Sequence, residues 1–258
     1  MDNLPRSVLY EEAEKLGLNP QKISSDGLFT VTYKEKTAYV YTFTSLNTQL
    51  GGALAKNKYI TRVIAERASI PNIPYLFTDS NEELESFLET HKKIIKKPLY
   101  GKNAVGVEII TSQNELHQKI AAIRLKEYLF EKYCEGTEYR YLIVNNKLIA
   151  VNKKTLTPTP EDQWKKNVNI VTEDRWDPTL IKQAESLSYA INLKMCAVDF
   201  IVDSEHNGWL LEVNSQLTLV GFYSADEKYG EKLAQRILIS ILREQLGDDF
   251  CLPFNGIK

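Results

Sequence analysis

Between Ala197 and Asn214 the chain reads Ala-Val-Asp-Phe-Ile-Val, a polar stretch through Ser204–Asn207, then Gly-Trp-Leu-Leu-Glu-Val-Asn. Two short apolar runs around a polar turn predict an antiparallel hairpin. With 204–207 as a four-residue turn, position 203 faces 208 and Asp199 faces Glu212 directly. Opposed residues share one sheet face, with Cβ atoms about 4.5–5.5 Å apart. Asn214, two residues beyond Glu212, lies on that face as well. Two opposed carboxylates repel, so a plain sheet would not choose them. Either the face is solvated and lysines pair with the charges, or a hard cation sits between them. Mg²⁺ takes one or two carboxylates together with substrate phosphates, and an amide oxygen suits the same role. The flanking Phe200, Ile201, Leu210, Leu211 and Val213 argue against a fully exposed face.

The chain has 258 residues, 43% hydrophobic and 26% charged, which is an ordinary globular composition able to bury a sizeable core. The net charge of −2 offers no basic footprint for nucleic acid. Lys92-Lys93, Lys96-Lys97 and Lys153-Lys154 are short, interrupted clusters that read as solvated faces. No apolar run of about 18 residues suggests a membrane span, and the first residues lack a signal-peptide pattern. Cys134, Cys196 and Cys251 are too few and too widely spaced for a disulfide framework or a zinc site. A reducing cytoplasm is the expected compartment.

The pattern of elements predicts an α+β fold. Residues 1–20 read as a short helix, and Phe29–Phe43 as two strands about the turn Lys34-Glu35-Lys36. A helix with Ile60, Val63, Ile64 and Ala68 on one face stops before Pro71. Ser80–Glu83 and Ser112–Glu115 are capping boxes. Between them lie a strand over Lys93–Lys97, a glycine loop Gly101–Gly106 and a strand Val107–Ile110. Such a loop can fold over phosphates, although Val107 stands where a P-loop has its lysine, and a plain hairpin has the same look. Lys97, at a strand end beside the loop, is placed to reach a phosphate. Strands follow at Tyr128–Tyr133, Thr137–Val144 and Leu148–Lys153. Residues 155–176 read as a long loop, Asp177-Pro178 opens a helix, and a last helix covers Tyr229–Leu246. Glu138 and Arg140 alternate onto one strand face and can share a cleft. His91, His117 and His206 read as surface residues and Cys196 as core.

Over roughly residues 46–245 this ordered set resembles the ATP-grasp superfamily, and within it the branch of cyanophycin synthetase and the ligase domain of bifunctional glutathione synthetases. Residues 55–61 with Ile70-Pro71 resemble the lysine-bearing helix before the lid. Lys97-Pro98-Leu99 and Gly101–Gly106 resemble the lid strand and phosphate loop. Glu131–Cys134 and Gly136–Glu138 resemble the adenine hinge and the ribose-binding acid. The resemblance implies two α+β subdomains gripping ATP: a segment 1–45, then an ATP-grasp domain over 46–258 with a small mobile lid at about 75–133 above a larger mixed sheet. It implies that Lys58, Lys97, Gly101 and Gly106 hold phosphates, that Glu131, Lys132 and the backbone at Cys134 hold adenine, and that Glu138 holds ribose. Asp199, Glu212 and Asn214 would bind one or two Mg²⁺ ions, with Mn²⁺ able to substitute. The activity implied is joining a carboxylate to an amine through an acyl phosphate, with Lys154 as a basic residue at a strand end facing the phosphates. The catalytic cation that stabilises the oxyanion is expected at Arg140, then Arg175, since Ala197 leaves that role open. Rival readings are a phosphotransferase and a non-catalytic ATP-binding partner protein. Two departures bear on substrate: Leu217 stands where relatives often have proline, and Ala197 where some have arginine. The stretch before residue 46 is short, so a homodimer or a partner protein is one source of an acceptor site.

Overall fold

The computed structural model describes residues 8–101, 104–158 and 164–252. Helix α1 (Val8–Lys15) precedes β1 (Gln21–Lys22), β2 (Leu28–Tyr33) and β3 (Lys36–Tyr41), a three-stranded sheet in that order. Helices α2 (Gln49–Lys56) and α3 (Lys58–Arg67) lead to a smaller unit. It contains β4 (Tyr75–Leu76), α4 (Asn81–His91), β5 (Ile94–Pro98), β6 (Glu108–Ile110), α5 (Gln113–Ile120) and β7 (Tyr128–Lys132), with strand order β4-β7-β5-β6. The larger sheet is built from β8 (Thr137–Val144), β9 (Lys147–Pro158), β10 (Trp164–Val171), β11 (Met195–Val202) and β12 (Gly208–Asn214), in the order β10-β9-β8-β11-β12. Helix α6 (Pro178–Ile191) precedes β11, and α7 (Val220–Ala225) and α8 (Glu227–Leu246) follow β12. Every pairing in these sheets is antiparallel, and the isolated bridge from Asn72 to Leu210 is parallel.

Helix starts follow local chemistry. The side chains of Thr48, Asn57, Ser80, Ser112, Asp177 and Asp226 each accept a backbone N–H of the first turn they precede. That satisfies donors the helix itself cannot pair. Gly51 lets α2 lie against the end of α6, since a Cβ there would stand 2.3 Å from the Asn192 carbonyl oxygen.

Three apolar cores divide the molecule. The smaller unit closes over Leu84, Leu88, Ile94, Ile110, Leu116 and Phe130. One face of the larger sheet, through Tyr141, Val198, Phe200 and Leu210, packs on Leu180, Ala184 and Leu187 of α6. The opposite face is divided along its length. At one end Leu142, Ala150 and Ala197 join a core with α1, the three-stranded sheet and α8. At the other end the same face carries Glu138, Arg140, Asn152, Lys154, Asp199 and Glu212, by the two-residue alternation of the strands.

Four expectations need correction. The larger sheet is antiparallel throughout and not mixed, since β9 pairs with both its chain neighbours and β12 returns directly along β11. Residues 155–176 are not one long loop: β9 continues to Pro158 and β10 returns from Trp164, while 159–163 lie outside the described residues. The prolines and polar groups suggested a loop, but β10 is an edge strand held by its backbone ladder to β9, and sequence composition does not display that ladder. The fully buried residues of α3 are Thr61, Arg62 and Ala65, while Ile64 and Ala68 of the predicted apolar face are half-buried against the core. The hairpin turn covers 203–207, one residue longer than expected, with Val202 opposite Gly208. Asp199 still faces Glu212, because a bulge at Leu211 shifts the register between Phe200–Leu210 and Asp199–Glu212. The pairing holds, for a different reason than the one the turn length gave.

Candidate active site

On the larger sheet one cross-strand row runs Asn152, Arg140, Asp199, Glu212. Asp199 is fully buried, and Arg140 grips it with both prongs: Nε lies 2.7 Å from Oδ1 and Nη2 2.6 Å from Oδ2. Lys154 Nζ is 3.4 Å from Asp199 Oδ2 and also pairs with Glu138, its direct cross-strand neighbour. Arg140 Nη2 is 3.8 Å from Glu212 Oε1. Burial alone would push the Asp199 carboxyl up, but the bonds and charge of Arg140, followed by the charge of Lys154, hold it below the usual carboxylate range. Desolvation lowers the Arg140 pKa, and the Asp199 partnership more than reverses this.

Asn214 completes the group. Its Nδ2 is 2.9 Å from Glu212 Oε1 and 3.5 Å from Asp199 Oδ2. A buried acid, a partly exposed acid and an amide therefore meet at one point. Among the described residues no three His, Cys, Asp or Glu side chains gather as a metal cluster. The set nevertheless fits a hard divalent cation that draws its other ligands from phosphates. Turning the Asn214 amide would present oxygen in place of nitrogen, and Arg140 and Lys154 already mark the spot as one that calls for positive charge.

The smaller unit presents a second charged group. Glu131 on β7 is buried and takes Nε and Nη2 of Arg62 on Oε1, at 2.8 and 2.6 Å, and Lys97 Nζ on Oε2. Burial raises its pKa, but the charges of Arg62 and Lys97 outweigh this and leave it lowered. Lys58 opens α3 and its Nζ is 3.4 Å from the Gly101 carbonyl oxygen. Desolvation lowers the Lys58 pKa; Glu212 raises it and Lys97 lowers it, so the field of both groups meets at this ammonium.

Gly101 and Gly106 frame the loop between β5 and β6, with Lys102 and Asn103 outside the described residues. Gly106 has φ +73°, and a Cβ there would lie 2.9 Å from Pro98 Cγ, so the turn needs a glycine. Lys132 alternates to the opposite face of β7 from Glu131, is exposed, and acts on His91 of α4. The structure therefore does not bring its side chain to the others. Cys134 is half-buried just past β7, where burial pushes its thiol up. Arg175 is exposed in the turn before α6. The residue that the sequence reading missed is Arg62. It stands one helical turn after Lys58, and that i, i+4 spacing in Lys58–Arg62 was the available signal.

Residues 55–241 match the family described as RimK-like ATP-grasp domain. A D-alanine–D-alanine ligase from Buchnera aphidicola subsp. Baizongia pistaciae is 28% identical over 185 residues, 64% of this chain and 60% of that protein. A tetrahydromethanopterin:alpha-L-glutamate ligase from Methanocaldococcus jannaschii is 23% identical over 198 residues, 71% of this chain and 66% of that protein. The chain thus spans 60–66% of the length of these relatives. The crystal structure of a bifunctional glutathione synthetase from Pasteurella multocida superposes with a TM-score of 0.66 at 14% identity, covering 93% of this chain and 43% of that one. At that identity the likeness concerns the fold, which is the α+β ATP-grasp architecture. With its family match extending over most of the sequence, the chain belongs to the RimK-like ATP-grasp family.

Proposed function

We propose that the chain is an ATP-dependent ligase that joins a carboxylate to an amine through an acyl phosphate, releasing ADP and phosphate. The substrate class is an amino acid or small peptide. Lys58, Lys97 and the Gly101–Gly106 loop would hold the phosphates, the strand past Glu131 to Cys134 the adenine, and Glu138 the ribose. Asp199, Glu212 and Asn214 would hold Mg²⁺, or Mn²⁺ in its place. The metal, when bound, supplies positive charge against the phosphates. Arg140, shifting from Asp199, and Lys154 would orient the carboxylate and stabilise oxyanion charge. A reducing, cytoplasmic setting suits the three free cysteines. No helix among the described residues is long and apolar enough to cross a membrane.

The observation that carries this reading is that three acids of the group are held by cations and the fourth, Glu212, lies against Asn214 beside Arg140. Asp199 is held by Arg140, Glu131 by Arg62 and Lys97, Glu138 by Lys154, and Glu212 touches Asn214. A kinase acting on a hydroxyl needs a positioned base to take its proton. A carboxylate is already ionised at neutral pH and needs cations alone. The test screens ATP consumption against amino acids and small peptides, then repeats it with ¹⁸O in the carboxylate of any active substrate. One label should appear in the released phosphate, and hydroxylamine should trap a hydroxamate. Unlabelled phosphate with a stable phosphorylated product would establish a phosphotransferase instead.

A further inference from the structure

Arg62 touches both halves of the site, although it belongs to neither ligand set above. Its side chain is 3% exposed. Toward the smaller unit it holds Glu131, which in turn holds Lys97. Toward the larger sheet, Nη1 lies 2.8 Å from the Leu210 carbonyl oxygen and Nη2 2.8 Å from that of Leu211. These two carbonyls belong to the bulge in β12.

Successive carbonyls of a regular strand point to opposite edges, so one guanidinium could not bond two in a row. A bulge turns both to the same edge. The bulge has a consequence for the metal group. Continued without a shift from Phe200–Leu210, the ladder would place Leu211 opposite Asp199 and Glu212 opposite Val198. Val198 faces the α6 core, so Glu212 would point away from Asp199 altogether. The outer edge of β12 is pinned again where the Leu210 N–H donates to the Pro71 carbonyl oxygen at 3.0 Å, and Asn72 Nδ2 donates to the Arg62 carbonyl oxygen at 2.9 Å.

We propose that Arg62 is a positioning residue that fixes the Leu210–Leu211 bulge, turning Glu212 onto the face of Asp199, while setting Lys97 through Glu131. One buried guanidinium thereby places the metal-facing acid and the phosphate-facing lysine together. This rests on the reading of Asp199, Glu212 and Asn214 as a metal site, and the experiment separates the two.

The probe is Mn²⁺ alone, its binding followed by loss of the free-ion electron paramagnetic resonance signal, with circular dichroism melts as the check on folding. Arg62→Lys keeps a charge for Glu131 but cannot fork across two carbonyls. It should weaken Mn²⁺ binding about 10–100-fold, the usual cost of losing an outer-shell support. Arg62→Gln serves as the second variant if the lysine form does not fold. Glu131→Gln keeps an acceptor oxygen for Arg62 Nε and Nη2 but removes the charge that holds Lys97, and should weaken Mn²⁺ binding less than Arg62→Lys does. In a chain lacking Leu211 the regular ladder already sets Glu212 opposite Asp199, so Arg62→Lys should there cost less than about twofold. An equal loss with and without Leu211 would overturn the proposal in favour of a general structural role. Glu212→Gln separates the readings. If it weakens Mn²⁺ binding while Arg62→Lys does not, the positioning role is wrong. If it changes nothing, the metal site itself is wrong.

Discussion

Glu131 in the smaller unit and Asp199 in the larger sheet are built alike and suit opposite ligands. Each is a buried carboxylate, 1% and 0% exposed, held by one arginine and one lysine. The difference lies in what surrounds them. Around Glu131, one acid meets two cations, Arg62 and Lys97, whose side chains are only 3% and 9% exposed. Around Asp199, two further acids, Glu138 and Glu212, adjoin the two cations Arg140 and Lys154, and Glu212 is 41% exposed. The first cluster carries an excess positive charge in a closed setting and suits phosphate. The second carries an excess negative charge with an open side and suits a metal ion. On the proposed reading, the same salt-bridge unit would serve as a fixed brace in one place and as an exchangeable contact in the other, according to its neighbours' charge and access to water.

The largest expected effect is on stability. Glu131→Ala leaves Arg62 and Lys97 buried without a counter-charge and should cost about 3–5 kcal/mol in urea unfolding. Asp199→Ala should cost less, about 1–2 kcal/mol, since Arg140 can turn to Glu212, 3.8 Å away. Equal losses would erase the distinction between brace and exchangeable contact. Next in size, Glu212→Gln should weaken Mg²⁺-dependent binding of an ATP analogue at least about tenfold by calorimetry, roughly 1.4 kcal/mol. Unchanged binding would remove the metal from the open cluster.

The smallest effect is the dependence on pH. The folded Glu131 pKa is depressed, the charges of Arg62 and Lys97 outweighing burial. The unfolded chain therefore binds more protons across the window between the folded value and the ordinary one of about 4.3. The stability from this group is complete above that ordinary value and is lost as pH falls through the folded one. The urea midpoint should fall with acid more steeply in the parent protein than in Glu131→Gln. Matching slopes would show that the brace contributes nothing to acid unfolding.

The two clusters were not equally legible in the sequence. Asp199, Glu212 and Asn214 stand in two apolar runs around a turn, and that pattern places them in one hairpin. Their common face rests on a bulge at Leu211, which offsets a turn one residue longer than the pattern predicts. Leu210 and Val213 both face the core although they are three residues apart, a break in alternation that signals the bulge once noticed. The Glu131 cluster is not legible in this way: the sequence separates Glu131, expected at adenine, from Lys97, expected at phosphate, and gives no sign that Arg62 joins them. Its three members come from α3, β5 and β7, separated by tens of residues, and no local period links them.

The sequence by itself determined the helix caps at Ser80, Ser112 and Asp177, most strand positions, the α+β class and the family, because each depends on residue spacing within a short span or on an ordered set of motifs. Tertiary structure alone decided which charges are paired, that β10 joins the larger sheet, and which way Glu212 faces. Those outcomes depend on register and burial. A one-residue shift reverses a side chain's face, and a buried charge takes whichever partner the fold brings within reach. At Arg62 that partner set is a carboxylate from one unit and two bulged carbonyls from the other.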